Sequence, residues 1–239
     1  MDEAQKQAMA EAVAKIRENM TAAAKAAGRD PSEVLLCAAC KTRTVEEVRY
    51  SADLPIDLFG ENHVQELVEK TDAGAYNGKP GHFIGHLQTN KVKYIAPYIS
   101  MIESVDSLKL LKEINKQAAK HDRVVKVLLE LHIAEEETKS GFSFDDCREL
   151  LEAGEWRTME HVQICGIMMM ASNTDDEQQI AQEFDAAYAF FKEVKEKYFA
   201  DDDAFCERSW GMSHDYRIAV KHGSNMVRVG TTIFGPRIY

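Results

Sequence analysis

Val34-Leu35-Leu36-Cys37-Ala38-Ala39-Cys40 runs straight into Lys41-Thr42-Arg43-Thr44. A run of small and apolar residues that stops at a lysine reads as a buried strand delivering an amine to its C-terminal rim. Strand side chains alternate between faces. Lys41 therefore shares a face with Ala39, Cys37 and Leu35, while Cys40, Ala38, Leu36 and Val34 take the other. Both faces are apolar, as in a parallel strand covered on both sides. Desolvation there favours the neutral amine, the form that attacks carbonyls to make Schiff bases. The same residues also fit a lysine that caps the strand and reaches solvent along its aliphatic stem.

Outward from this strand the chain alternates. Before it, Met9, Val13, Ile16, Met20, Ala23 and Ala27 recur at spacings of four and three and give a helix one apolar face. Gly28 stops that helix, and Asp30-Pro31 is a turn. After it, further strands are predicted at Ile56–Phe59, His82–Gly85, Ser100–Ser104, Val124–Ile133, Val162–Met170, Ala204–Trp210 and Asn225–Val229. The helices between them are predicted over Val45–Ala52, His63–Lys70 and Thr89–Tyr94, from an Asp106 cap to Lys120, and around Phe144–Ala153. A long helix is faced by Ile180, Phe184, Ala187, Phe191, Val194 and Tyr198, and a short one is capped by Ser213 and ended by Gly223. About eight strand–helix units in 239 residues predict an α/β fold, a single (β/α)8 TIM barrel over residues 1–239. The helix in residues 1–30 is an addition packed on that barrel. A doubly wound open sheet is the alternative. Neither G-x-G-x-x-G nor G-x-x-x-x-G-K-[ST] occurs, which weakens its nucleotide-binding versions.

Composition excludes several function classes. A net charge of -11 argues against a general nucleic-acid or anionic-membrane surface. The first residues, MDEAQKQAMAEAVAKI, lack the apolar core of a signal peptide, and no stretch approaches the roughly 20 apolar residues of a membrane span. A cytoplasmic location is expected. Five cysteines without a secretion signal predict reduced thiols. Cys37 and Cys40 form a C-x-x-C pattern inside a strand, which puts the thiols on opposite faces, so they read as small buried residues. No metal site is expected.

In a barrel the site forms at the C-terminal ends of the strands. Polar or glycine-containing positions collect there: Lys41, then Asn62 in Gly60-Glu61-Asn62-His63, His82 and His86 around the third strand, Met212-Ser213 after the seventh, and Arg228, Gly230 and Thr231 closing the eighth. Gly211-Met212-Ser213 leading into a helix offers free backbone N–H groups and a positive dipole end, and Gly230-Thr231 adds N–H groups and a hydroxyl. Phosphate groups in this fold often sit between the loops after strands seven and eight. Arg228 shares a strand face with Gly230 and points into the barrel mouth beneath it. A reactive amine facing a phosphate cradle predicts a phosphorylated aldehyde. Pyridoxal 5'-phosphate fits, with an aldimine on Lys41, its phosphate at Ser213, Gly230 and Thr231, and Arg228 facing the pyridine nitrogen. An arginine there keeps that nitrogen unprotonated and weakens the ring as an electron sink.

The stretches Gly60-Glu61-Asn62-His63-Val64-Gln65-Glu66, His82-Phe83-Ile84-Gly85-His86-Leu87-Gln88-Thr89-Asn90-Lys91, Lys139-Ser140-Gly141, Gly211-Met212-Ser213-His214-Asp215, Met226-Val227-Arg228-Val229-Gly230-Thr231 and Ile233-Phe234-Gly235 resemble the pyridoxal phosphate homeostasis proteins, also called proline synthetase co-transcribed homologues. The resemblance runs from about Val34 to Arg237. It implies a barrel like the N-terminal domain of alanine racemase, of the fold-type III pyridoxal phosphate class, with the cofactor on Lys41. It also implies Asn62, Ser213, Arg228, Gly230 and Thr231 as cofactor contacts; His82 and Met212 join them from their rim positions. Three residues depart from the family pattern. Gly81 stands where tryptophan is common, Trp210 replaces a usual methionine, and His132 sits where asparagine is frequent. Trp210 and His132 are expected near the mouth.

The resemblance implies a carrier that balances vitamin B6 and amino-acid pools without established turnover. Apo pyridoxal enzymes are its expected partners, and the chain is expected to be a monomer. No catalytic residue is assigned. Related racemases complete their site with a second domain and a partner subunit, and no such domain is expected after Arg237. A monomeric amino-acid racemase-like enzyme is the alternative, with His82 or Tyr239 as the missing base. A sugar-phosphate aldolase using the same barrel and lysine is a third reading.

Overall fold

The apolar run before Lys41 forms strand β1 (Leu35–Ala39) in a computed structural model that describes residues 1–133 and 140–236. Lys139, Arg237 and Tyr239 lie outside the described residues. The two faces of β1 separate as their composition requires. Leu36, Ala38 and Cys40 join the main core between strands and helices. Cys37 packs inside the barrel with Leu58 and Met226. The C-x-x-C thiols thus face opposite ways, and both are free and buried.

Seven more strands follow: β2 (Leu58–Glu61), β3 (Gly81–Phe83), β4 (Met101–Val105), β5 (Val125–Leu131), β6 (Val162–Met169), β7 (Glu207–Ser209) and β8 (Met226–Val229). They pair in sequence order, all parallel, and β8 closes on β1 with Cys37 opposite Arg228. The open-sheet alternative is overturned, and no strand of the closed sheet is left with an unpaired edge.

Helices cover the outside. After α1 (Glu3–Ala26) come α2 (Val45–Ser51), α3 (Val64–Asp72), α4 (Val92–Ile95), α5 (Leu108–Ala119), α6 (Phe144–Ala153), α7 (Glu177–Tyr198), α8 (Tyr216–Lys221) and α9 (Thr231–Phe234). Asp2 and Gln5 form a capping box that starts α1. Its buried face, Met9, Val13, Ile16 and Met20, is the one the spacing predicts. Each such side chain contributes about 1.5–3 kcal/mol of transfer free energy. This face packs against α8 and α9. Arg29 then ties the helix end to the carbonyls of Val220 and Ser224, each at 2.7 Å. In α7 the stripe Ile180, Phe184, Ala187, Phe191 and Val194 is buried, as expected of core packing.

Two expected caps are corrected. The fifth helix starts one residue later than predicted, because Ser107, not Asp106, accepts a bond from the Leu110 N–H. Asp106 instead lies 3.2 Å from His86. Ser213 does not cap the short helix either. That helix begins only at Tyr216, because Asp215 holds the preceding turn with its carboxylate 2.5 Å from the Met212 nitrogen. Six residues of helix set back from the rim cannot supply the dipole expected there. The N–H groups of the loop itself remain.

Candidate functional site

The chain leaves β1 through a tight turn. The Arg43 N–H donates to the Cys40 carbonyl at 3.2 Å, and Lys41 and Thr42 are its two central residues. Thr42 adopts φ 63, the left-handed region a β-branched residue rarely visits. Lys41 is thus the first residue of a turn rather than the last of a strand, yet it keeps the expected face. Ala39 and Lys41 both line a cleft of about 300 Å³ at the barrel mouth.

The opposite wall comes from the end of the chain. Met212 and Ser213 line it from the loop after β7, and Arg228, Gly230 and Thr231 from β8 and its exit. Ser213, freed from capping, accepts a hydrogen bond from the Gly230 N–H at 3.2 Å, and its oxygen lies 3.2 Å from the Thr231 hydroxyl. Gly230 is required by space. A Cβ there would stand 2.8 Å from the Ala39 carbonyl oxygen, so a side chain would force β8 away from β1.

Arg228 forms the floor. It is 5% exposed. Its guanidinium donates to the Ser209 carbonyl and hydroxyl at 2.7 Å each and to the Met169 carbonyl at 3.0 Å. Five N–H donors make a guanidinium, so donors remain for a ligand above. Beneath Arg228 runs a buried network that the sequence did not disclose. Glu103 accepts from Ser209 at 2.5 Å and lies 2.7 Å from His82 Nδ1 and 4.0 Å from Arg228. Burial alone pushes the Glu103 carboxyl up, but the bonds to His82 and Ser209 and the Arg228 charge outweigh it and hold the group below its ordinary value. Glu130, two residues beyond the interior Leu128, gets only partial help from the Arg228 charge and the Ser140 hydroxyl. Its carboxyl is pushed up to about 7, by burial first and then by Asp106.

Six of the eight expected contacts therefore meet in one cleft: Lys41, Met212, Ser213, Arg228, Gly230 and Thr231. The other two do not line it. His82 is buried, with its Nδ1 2.7 Å from Glu103. Asn62 lines a neighbouring cleft of about 170 Å³ beside His63, His86 and Lys91. It is held there because Gly85 packs on its backbone, leaving only 2.7 Å for a Cβ. Sequence reasoning missed Arg43, Asn173 and His214, which complete the lining. His214 sits in the Gly211–Asp215 stretch quoted above, so only its orientation was hidden. Arg43 is occupied by the carbonyls of Phe234, Gly235 and Pro236.

The donor set suits a phosphorylated carbonyl compound: an amine on one wall, hydroxyls and a backbone N–H on the other, and a guanidinium below. The family described as alanine racemase, N-terminal domain, matches residues 12–237. A pyridoxal phosphate homeostasis protein of Aquifex aeolicus is 34% identical over 231 residues, covering 96% of this chain and 98% of that one. This chain belongs to the pyridoxal phosphate homeostasis family. A crystal structure described as an unknown protein from Bifidobacterium adolescentis is 31% identical, with a TM-score of 0.91 over 98% of this chain and 97% of that one. PipY of Synechococcus elongatus, solved with PLP bound, is 28% identical, with a TM-score of 0.81 over 95% of this chain and 100% of its own.

Of the three departures from the family pattern, Trp210 and His132 are the two expected near the mouth; His132 follows the C-terminal end of β5 directly. Trp210 does not approach the mouth. It alternates with the interior Ser209, is fully buried in the outer core, and leaves its indole N–H without a partner. A side chain at Gly81 would run into Tyr76 at 3.3 Å, so a stacked Phe59–Tyr76 pair occupies the space a tryptophan would need. His132 is half-buried, its backbone N–H bonded to the Phe142 carbonyl at 2.8 Å. It does not line the cleft.

Proposed function

We propose that this protein binds pyridoxal 5'-phosphate through the Lys41 amine and serves vitamin B6 and amino-acid homeostasis as a cofactor carrier. The observation that carries this reading is the convergence of the Ser213 hydroxyl, the Gly230 N–H and the Thr231 hydroxyl opposite Lys41 in one cleft. Lys41 supplies the nucleophile for the aldehyde. Ser213, Gly230 and Thr231 hold the phosphate in a site that needs no basic patch, which agrees with a chain of net charge -11. Arg228, pinned at three acceptors, would offer its remaining N–H donors to the pyridine nitrogen. When bound, the cofactor supplies a carbonyl group and a conjugated ring able to delocalise charge.

Binding without efficient turnover is the second part of the proposal. A guanidinium at the ring nitrogen favours its unprotonated form, which limits the ring as an electron sink. His82, one base the racemase reading invoked, is committed to Glu103. Borohydride reduction of the purified protein is expected to fix the cofactor mass on the peptide containing Lys41, and Lys41→Ala protein is expected to be colourless after dialysis. A Lys41→Ala protein that stays equally yellow overturns the assignment. Amino acids incubated with the loaded protein in deuterated water test turnover: exchange at the α-carbon, abolished by Lys41→Ala, favours the enzyme.

A further inference from the structure

The stretch Gly60–Glu66 supplies two carboxylates that the cleft does not use, and α3 adds a lysine. Lys70 is 2% exposed, and Glu61 is completely buried. They meet on the outer side of β1 and β2, behind the strand end that carries Lys41. Lys70 Nζ lies 2.6 Å from Glu61 and 3.1 Å from Glu66. A buried lysine is ordinarily driven to neutrality, but here Glu61 and the neighbouring groups keep its affinity for the proton high.

This ion cluster grips the main chain on both sides of Lys41. Lys70 donates to the Cys40 carbonyl at 2.7 Å. Glu66 accepts from the Thr42 N–H at 2.7 Å. The Cys40 thiol also lies 2.9 Å from Glu61. Cys40 and Thr42 are the neighbours of Lys41, so both peptide planes that set its backbone direction are clamped from the same helix. The clamp acts where the backbone resists, because Thr42 is held at φ 63. A threonine released from Glu66 is expected to relax toward negative φ and to redirect the backbone at Lys41.

We propose that Glu66 and Lys70, supported by Glu61, are positioning residues for Lys41: they hold the Cys40–Arg43 turn in the strained form that presents Lys41 to the cleft it shares with Ser213 and Arg228. This rests on the proposed role of Lys41 and explains the two glutamates of the Gly60–Glu66 stretch. None of the three needs to touch the ligand.

The test follows the rate at which apo protein takes up pyridoxal 5'-phosphate, read from its visible band, with borohydride reduction and peptide mass to confirm Lys41 as the attachment point. Glu66→Ala is expected to slow loading by about tenfold or more, the size of effect a displaced reacting group produces. Glu66→Gln keeps an oxygen for the Thr42 N–H and is expected to recover most of the rate. Thr42→Gly placed in the Glu66→Ala background adopts positive φ without penalty and is also expected to restore loading. Lys70→Met strands the buried Glu61 and the half-buried Glu66 and risks unfolding, so Lys70→Met with Glu61→Gln replaces it. Val194→Ala, a cavity variant in α7 remote from the cleft, controls for lost stability. Loading by Glu66→Ala at the wild-type rate overturns the positioning role. So does a slowing that Val194→Ala reproduces at equal loss of thermal stability, or one that neither Glu66→Gln nor Thr42→Gly relieves. A wild-type protein that carries no reducible cofactor on Lys41 overturns instead the function proposed above.

Discussion

The guanidinium of Arg228 lies 2.7 Å from the hydroxyl of Ser209, and that hydroxyl in turn donates to Glu103. The floor of the cleft is therefore the top of a buried polar column, and Arg228 cannot move without disturbing a carboxylate at the barrel centre. A ligand above meets an arginine whose orientation is already fixed.

The column has an acid signature. Glu103 titrates below its ordinary value of 4.5 in the folded protein. Its stabilising effect is thus fully present above the unfolded value and is lost as pH falls through the folded one. Glu103→Gln is expected to be less stable than wild type at neutral pH by about 2–4 kcal/mol, since Arg228 and His82 lose their carboxylate. The gap is expected to narrow in acid. Urea unfolding midpoints of both proteins across the acid range check this; a gap independent of pH contradicts it.

Glu130 is expected to behave with the opposite sign. Its folded value of about 7 lies above the ordinary 4.5. The folded state keeps a proton that the unfolded chain has released, so this group lowers stability progressively as pH rises through that window and no further above it. Glu130→Gln is expected to be more stable than wild type above neutrality by about 1–3 kcal/mol, with no gain below the ordinary value. Urea midpoints on either side of the window decide it.

The proposed phosphate cradle of Ser213, Gly230 and Thr231 allows affinity to be separated from folding. Ser213→Ala is expected to weaken cofactor binding by about 1.5–3 kcal/mol, roughly ten- to hundredfold in dissociation constant, with the melting temperature of the apo protein little changed. Gly230→Ala is expected to lose both, because its methyl group meets the Ala39 carbonyl at 2.8 Å; overpacking of this kind costs about 1–3 kcal/mol. Equilibrium dialysis and thermal unfolding of the two apo variants check the contrast.

Trp210→Met tests whether the tryptophan shapes the pocket. Its side chain fills the outer core, so the substitution is expected to lower stability by about 1–3 kcal/mol through lost packing. The absorption maximum of the bound cofactor is expected to stay where it is. A shifted maximum places Trp210 in contact with the site.

Much of the fold was legible because parallel strands covered on both faces leave continuous apolar runs, and β1, β5 and β6 all do. Lys41 and Gly230-Thr231 were legible because their polarity breaks such runs at the rim. Glu103 was not. It lies in Met101–Val105, a strand whose two central polar residues face opposite ways, and its partners His82 and Ser209 are 21 and 106 positions distant. Only barrel closure shows that they meet. Ser213 was misread as a cap because the sequence does not reveal that Asp215 holds the turn and delays the helix to Tyr216. His82 was misplaced for a related reason. It begins a three-residue strand, and its inward face lies below the mouth rather than at it. Trp210, expected near the mouth, follows β7 directly, and its side chain turns into the outer core instead.

The pairing of β1 with β8 has a consequence for synthesis. Lys41 emerges early from the ribosome, and Arg228, Gly230 and Thr231 emerge nearly two hundred residues later. A nascent chain stopped short of β8 has Lys41 but lacks Arg228, Gly230 and Thr231, and β1 has no partner on one side. The cleft therefore comes into being only when the ring of strands is complete, and a ligand that spans it would report correct closure of the barrel.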